Sequence, residues 1–171
     1  IQSGDLYIAI KGEKVDGHSF ISQVFENGAL AAIVSDTNDQ VHGNQIKVGD
    51  TIESIGKIAT EWRDQFNIPI IGITGSNGKT STKELLRHIL SSKFDIHATE
   101  GNFNTSIGLP LTLLQLNAFH GASILEMGAN QAGDIEILAK IANPNFALIT
   151  NIAPAHLEGF GSIEAVAKTK A

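Results

Sequence analysis

One junction constrains this chain more than anything else in it. The apolar run IPIIGIT (68–74) passes directly into a glycine-bearing loop, GSNG (75–78), and then into residues 79–92, which carry a helical pattern. A continuous apolar run rich in isoleucine reads as a strand buried on both faces, and such strands belong to parallel sheets. Gly75 and Gly78 let the backbone curl so that successive N–H groups converge on one anion. The helix that follows adds the positive end of its dipole. Ser76, Asn77 and Ser81 complete the loop, Lys79 can reach the outer phosphates of a nucleotide, and the Thr80 hydroxyl can ligate Mg²⁺. The standard pattern has glycine five residues before Gly78, where this chain has Ile73. The alternative is a plain strand-to-helix turn with a chance GKT.

Downstream, strands and helices alternate. DIHAT (95–99), ASILEMG (122–128) and NFALITN (145–151) read as strands. LPLTLLQL (109–116) is a helix with Pro110 in its first turn. Residues 134–142 form a helix with Ile135, Leu138, Ile141 and Ala142 inward, and 162–171 form the last helix. The 79–92 helix is expected to bury Leu85, Leu86, Ile89 and Leu90. Repeated β-α-β units predict a doubly wound, mainly parallel sheet with ligands at the carboxyl ends of its strands. Upstream, DLYIAI (5–10), ALAAIVS (29–35) and QIKV (45–48) read as strands. Residues 18–27 form a helix with Ile21, Val24 and Phe25 on one face and Gly28 as C-cap. A longer helix starts at Asp50 or Thr51 and carries Ile52, Ile55, Ala59 and Trp62 at helical spacing. The expected architecture is α/β: a small N-terminal α/β domain over 1–66, ending in a bridging helix, then part of a phosphate-loop domain over 67–171.

Charge and composition narrow the function classes. Twelve Lys+Arg against 18 Asp+Glu give a net charge of −6, which argues against a general nucleic-acid or membrane-surface binder. With no cysteine there is no disulfide framework, zinc-thiolate site or thiol nucleophile. No apolar run approaches the roughly 18 residues of a membrane span and no signal peptide opens the chain, so the cytoplasm is the expected compartment. Glycine is 17 of 171 residues, above the usual roughly 7%, and much of it lies in polar loops of the kind that approach a ligand. Met127 is the one methionine and the final helix lacks a capping glycine. Both suggest a fragment of a longer protein, inactive by itself.

Further candidates follow from position. Glu126 closes the strand ASILE, and a carboxylate at a strand tip beside a phosphate loop suits a magnesium ligand. Asn151 closes NFALITN, and His156 follows in APAHLEG. Lys170 falls nearly in phase with Ile163 and close to Val166 and Ala167, whereas Lys168 falls on the opposite, solvent side. On spacing alone Lys170 either faces a cleft or lays its stem across apolar surface. His18, His42, His88, His97 and His120 read as surface or packing residues without a nameable partner. Glu13, Asp16 and Asp134 read as loop or cap charges.

The segments TGSNGKTSTKE, TEGNFNTSIGLPLTLL, EMGANQAGDIEILAKIANPNFALITNIAPAHLEGFGS and the closing KTK resemble the Mur ligase family of peptidoglycan synthesis, as does GDLYIAIKGEKVDGHSFI near the start. The loop form with glycine at 75 rather than 73 is itself the family's variant. The resemblance implies an ATP-dependent ligase that phosphorylates a substrate carboxylate and passes the acyl phosphate to an amine. The branch it points to joins D-alanyl-D-alanine to a UDP-N-acetylmuramoyl tripeptide. ATP would bind at Gly75–Ser81 and Asn151, and two Mg²⁺ ions would use Thr80, Glu126, His156 and a carbamylated Lys170. Lys79, His156 and Lys170 would serve catalysis, while Asn102, Asn104, Thr105 and Ser106 would line the substrate side. Thr105 departs from the asparagine often found there. The resemblance further implies a cytoplasmic monomer without nucleic-acid partners or membrane insertion, cut before the C-terminal domain and lacking an upstream segment. Two other classes compete: a non-catalytic nucleotide-binding module and a phosphate-loop kinase. Neither needs a late inward lysine paired with His156, or the small domain at the start.

Overall fold

The computed structural model describes residues 1–154 and 161–170. They form two compact units, Ile1–Ile55 and Gly56–Ala171.

The first unit is a three-stranded parallel sheet in the order β1 (Leu6–Ile8), β2 (Ala31–Val34), β3 (Gln45–Lys47). Tyr7 stands opposite Ala32, and Ile33 opposite Ile46. Strands this short hold only a small core, which is Ala9, Ile21, Ala32 and Val34 with Tyr7, Phe25 and Val41 against it. Helix α1 (Ile21–Glu26) turns Ile21 and Val24 inward. Gly28 sits just past its end at φ 95°, where a side chain would be strained, and donates to the Phe25 carbonyl.

Helix α2 (Thr51–Arg63) runs from one unit into the other. Asp50 caps it, accepting from the Ile52 and Glu53 amides at 2.7 and 2.9 Å. The units divide inside this helix, at 55/56, rather than at 66/67 after it. The reason lies in the helix's second half. Thr60 donates to the Ile141 carbonyl, Trp62 Nε1 to the Leu116 carbonyl, and the Arg63 guanidinium to the carbonyls of Ala142 and Asn143. Those bonds make residues 56–63 part of the second unit.

That unit carries β4 (Ile70–Thr74), α3 (Lys79–Leu90), β5 (Ile96–Ala98), α4 (Gly108–Leu113), β6 (Ala122–Glu126), α5 (Asp134–Ala142), β7 (Phe146–Ile149) and α6 (Ile163–Lys170). Its four strands are all parallel, in the order β5-β6-β4-β7. One face of the sheet packs Ile70, Leu125 and Met127 against Leu109, Leu113, Leu138 and Val166 from α4, α5 and α6. The other packs Ile73, Ile96 and Ile124 against Leu86 and Leu90 of α3. From β4 the chain crosses to β5 by α3 on one face, and from β6 it crosses to β7 by α5 on the other. The connections therefore diverge at the carboxyl ends of β4 and β6, which is where such sheets bind ligands.

Two expectations are corrected here. Leu85 and Ile89 are not buried; they are 66% and 64% exposed. The inner stripe of α3 is Lys83, Leu86 and Leu90, spaced three and four residues apart, and Leu85 and Ile89 lie about 100° off it. His97 and His18 do have partners. His97 is buried between the Ser123 hydroxyl at 2.8 Å and the Thr112 carbonyl at 2.9 Å. His18 lies between Asp16 at 2.7 Å and Ser35, whose amide and hydroxyl are 2.9 and 3.1 Å from Nε2. Among the described residues no helix is long and apolar enough to cross a membrane.

Candidate functional site

The loop after β4 is built to leave amides facing outward. Gly75 takes φ 147°, and a Cβ there would collide with the Thr150 hydroxyl, so only glycine fits. Gly78 enters α3 in the left-handed conformation, φ 80°. The first helical bond in reach of this turn runs from Thr82 N–H to the Gly78 carbonyl. The amides of Lys79, Thr80 and Ser81 thus lie in the first turn, where no intrahelical acceptor exists for them. The earlier part of the loop is anchored instead. Ser76 N–H donates to the Asn151 carbonyl at 3.0 Å, and Asn77 N–H to the Asn151 side-chain oxygen at 2.9 Å. Not every amide of the loop therefore converges on an anion, because Asn151 holds two of them. Lys79 Nζ donates to the Gly75 carbonyl at 2.8 Å.

Glu126 forms the centre of a second cluster. It is 4% exposed, so it is no solvated strand end. Its Oε2 accepts from the Thr80 hydroxyl at 2.8 Å, and its Oε1 from the Asn104 amide at 2.9 Å. Its own N–H donates to the Thr99 hydroxyl at 2.9 Å. Asn104 is held in turn by Gly128, whose N–H donates to the Asn104 carbonyl at 2.8 Å. A Cβ on Gly128 would stand 2.9 Å from the Asn104 side-chain oxygen. The first turn of α3 and the loop after β5 thereby meet on one carboxylate at the tip of β6.

A cavity of about 540 Å³ opens beside these loops. Gly75, Ser76 and Lys79 line it from the first loop, Asn104, Thr105 and Ser106 from the second, and Lys170 from α6. Lys170 is 6% exposed and Lys168 is exposed, so α6 turns its last lysine inward as its phase requires; Ile163, nearly in phase with it, is exposed near the start of the helix. Burial, with Lys79 as a smaller like-charge influence, pushes the Lys170 ammonium below its ordinary pKa. Asn77, Gly78, Thr80, Ser81, Asn102, Glu126 and Asn151 do not line the cavity, and His156 falls outside the described residues. Sequence reasoning missed the third wall, Gly128 to Gln131 with Asp134, Ile137 and Leu138. Its signal was present: GANQAG after β6 repeats the strand-tip glycine and asparagine pattern of the other two loops. Asp134 does not cap α5, whose N-cap is Gly133; it braces the loop before the helix, accepting from the Asn130 and Gln131 amides.

The donor set suits magnesium. Among the described residues no group of three or more His, Cys, Asp or Glu could enclose a metal. Thr80 and Glu126 offer two hard oxygens 2.8 Å apart beside outward-facing amides. Mg²⁺ commonly takes one or two protein oxygens and completes its shell with water and substrate phosphates.

Comparison with known proteins places the chain in a family. The Mur ligase middle domain matches residues 73–171, and the Mur ligase family catalytic domain matches residues 1–63. A UDP-N-acetylmuramoyl-tripeptide–D-alanyl-D-alanine ligase of Synechocystis is 46% identical over 98% of the chain, and the Bacillus subtilis one is 40% identical over 99%. The chain spans 37% and 38% of those relatives' own lengths. MurF of Acinetobacter baumannii superposes with a TM-score of 0.95 at 40% identity, covering 99% of this chain and 37% of that one. MurF ligase of Thermotoga maritima, solved in complex with ADP, superposes with a TM-score of 0.94 at 39% identity, covering 99% of this chain and 40% of that one. On these matches the chain belongs to the Mur ligase family.

Proposed function

We propose that the chain is the substrate-binding and ATP-binding part of a cytoplasmic ligase that joins D-alanyl-D-alanine to a UDP-N-acetylmuramoyl tripeptide, with loss of phosphate from ATP. In this reading residues 1–66 take part in holding the UDP-sugar peptide and residues 67–171 hold the nucleotide. The observation that carries it is the Thr80–Glu126–Asn104 cluster, which reaches through Asn104 to a cavity that Lys79 and Lys170 also line. A carboxylate and a triphosphate repel, and the site must offset that charge before they react. Lys79 and the first-turn amides of α3 supply positive potential to the phosphates. Thr80 and Glu126 hold one Mg²⁺, and Lys170, as a carbamate, with His156 holds a second. Bound Mg²⁺ would supply charge compensation for the γ-phosphate and the attacking carboxylate. Asn102, Asn104, Thr105 and Ser106 lie on the muramoyl-peptide side, and Asn151 supports the nucleotide loop through Ser76 and Asn77. The substrate carboxylate itself attacks the γ-phosphate, so no protein nucleophile is needed.

The test is phosphate release by the complete ligase. It should require ATP, the UDP-muramoyl tripeptide and D-alanyl-D-alanine together. Release that proceeds equally without the dipeptide would replace this reading with a kinase or a simple ATPase.

A further inference from the structure

Helix α3 sends two polar side chains to its inner face, Thr80 and, one turn on, Lys83. Thr80 belongs to the site. Lys83 lies deeper, 2% exposed, on the face that packs Leu86 and Leu90 against the sheet. A buried ammonium is costly unless it is well bonded, and methionine or leucine would fill the same space without that cost. Its contacts are specific. Nζ donates to the Thr99 carbonyl at 2.5 Å and lies 2.9 Å from the half-exposed Glu84 carboxylate.

Thr99 is the residue that reaches Glu126 from below. Its own N–H donates to the Ile124 carbonyl at 3.0 Å, and its hydroxyl accepts the Glu126 N–H at 2.9 Å. A closed circuit results: Lys83 to Thr99, Thr99 to Glu126, Glu126 to Thr80, and Thr80 back along α3 to Lys83. Resting on the metal reading above, we propose that Lys83 is a positioning residue for the magnesium carboxylate. It fixes the end of β5 to α3, so that Glu126 meets Thr80 at a set height and the loop carrying Asn104 leaves the strand at a set point. Lys83 touches neither nucleotide nor metal.

The test is Mn²⁺ binding to the complete ligase in the presence of ADP, followed by electron paramagnetic resonance without turnover. Lys83→Met should weaken Mn²⁺ binding about tenfold, the lower end of the effect seen when supports of metal ligands are removed. Metal-free ADP affinity should stay within about twofold, a split that general loosening of the core would not produce. Thr99→Val removes the hydroxyl but keeps the volume, and should reproduce the loss, which keeps the inference testable if Lys83→Met fails to fold. In a Glu126→Gln background, Lys83→Met should add nothing further. Normal Mn²⁺ binding in Thr99→Val and in folded Lys83→Met, with weakened binding in Glu126→Gln, overturns the positioning role and leaves the metal reading intact. Normal binding in Glu126→Gln overturns both.

Discussion

Just past the carboxyl ends of β1 and β2, Asp16 accepts from the His18 amide and ring, and the other ring nitrogen of His18 meets Ser35. Just past β4 and β5, and at the tip of β6, Thr80, Asn104 and Glu126 meet in the same way. Both are carboxylates gathered where parallel strands end, yet their chemistry differs. The His18 cluster uses both ring nitrogens inside the protein, tying a turn to the end of β2. Glu126 is satisfied by two neutral donors, a hydroxyl and an amide, so its charge is not cancelled. The Thr80 hydroxyl can turn its proton away and present a lone pair instead. One cluster is a closed latch, and the other is a pair of oxygens with room beside it. Position at a strand end alone does not separate a site from a brace; the identity of the hydrogen-bond donors does.

The largest expected effect falls on the open cluster. Lys79→Ala should reduce ATP-dependent turnover of the complete ligase by at least about a hundredfold, the scale of losing one charge-stabilising group at a reacting centre. Its thermal unfolding should change little, because the Lys79 bond to the Gly75 carbonyl is only part-buried. Turnover close to normal would remove the phosphate loop from the reaction. Next comes Lys170. Lys170→Ala should lower turnover about tenfold to a hundredfold, with partial recovery when a short carboxylic acid is supplied. Lys168→Ala should stay within about twofold. Reversal of the two lysines would show that α6 presents its other face to the chemistry.

Much of this was legible in the residues. The junction at 68–80 contains its own strand, loop and cap, so it needed no distant information. Glu126 was legible as a strand tip, and the inward turn of Lys170 by its closeness in phase to Val166, although Ile163, more nearly in phase, is exposed. Bonds between segments far apart in sequence were not. The resemblance and its Gly/Asn-rich loop put Asn104 on the substrate side, but nothing local shows that its amide also reaches a carboxylate 22 residues on. Nothing local marks Lys83 as buried, and Leu85 and Ile89 read as core. The error came from treating adjacent leucines as one stripe, when residues 85 and 86 lie about 100° apart on a helix. The division of the units inside α2 depended likewise on Thr60, Trp62 and Arg63 finding carbonyls more than 50 residues away.

A third effect is on stability and belongs to His97. Burial, then the neighbouring His120, lowers its pKa from 6.5 to about 4. The rings lie 5.0 Å apart. A lowered histidine favours the neutral form in the folded chain, so its contribution is complete above pH 6.5. It is lost as pH falls from 6.5 towards 4, because the unfolded chain binds the proton first. Urea unfolding at pH 5 should therefore show about 2 kcal/mol less stability than at pH 7 from this residue. His97→Gln should lose most of that slope. An unchanged slope would mean that another group carries it.

The smallest effect sharpens the opening contrast most directly. His18→Ala cuts the latch at its centre. It removes the ring that Asp16 and Ser35 share, while the Asp16 side chain can still accept from the amide of residue 18. The bonds are part-buried and water can replace some of them, so the cost should be about 1–2 kcal/mol. It should fall on the first unit, whose core of short strands has little surplus stability. Hydrogen exchange should quicken in β1 and β2 and remain unchanged in β4 and β6. Affinity for ADP with Mg²⁺ should stay within about twofold, since no atom of the latch belongs to the cavity. A large loss of ADP affinity would mean that the latch is part of the nucleotide site after all. The contrast between a closed brace and an open pair of oxygens would then rest on Glu126 alone.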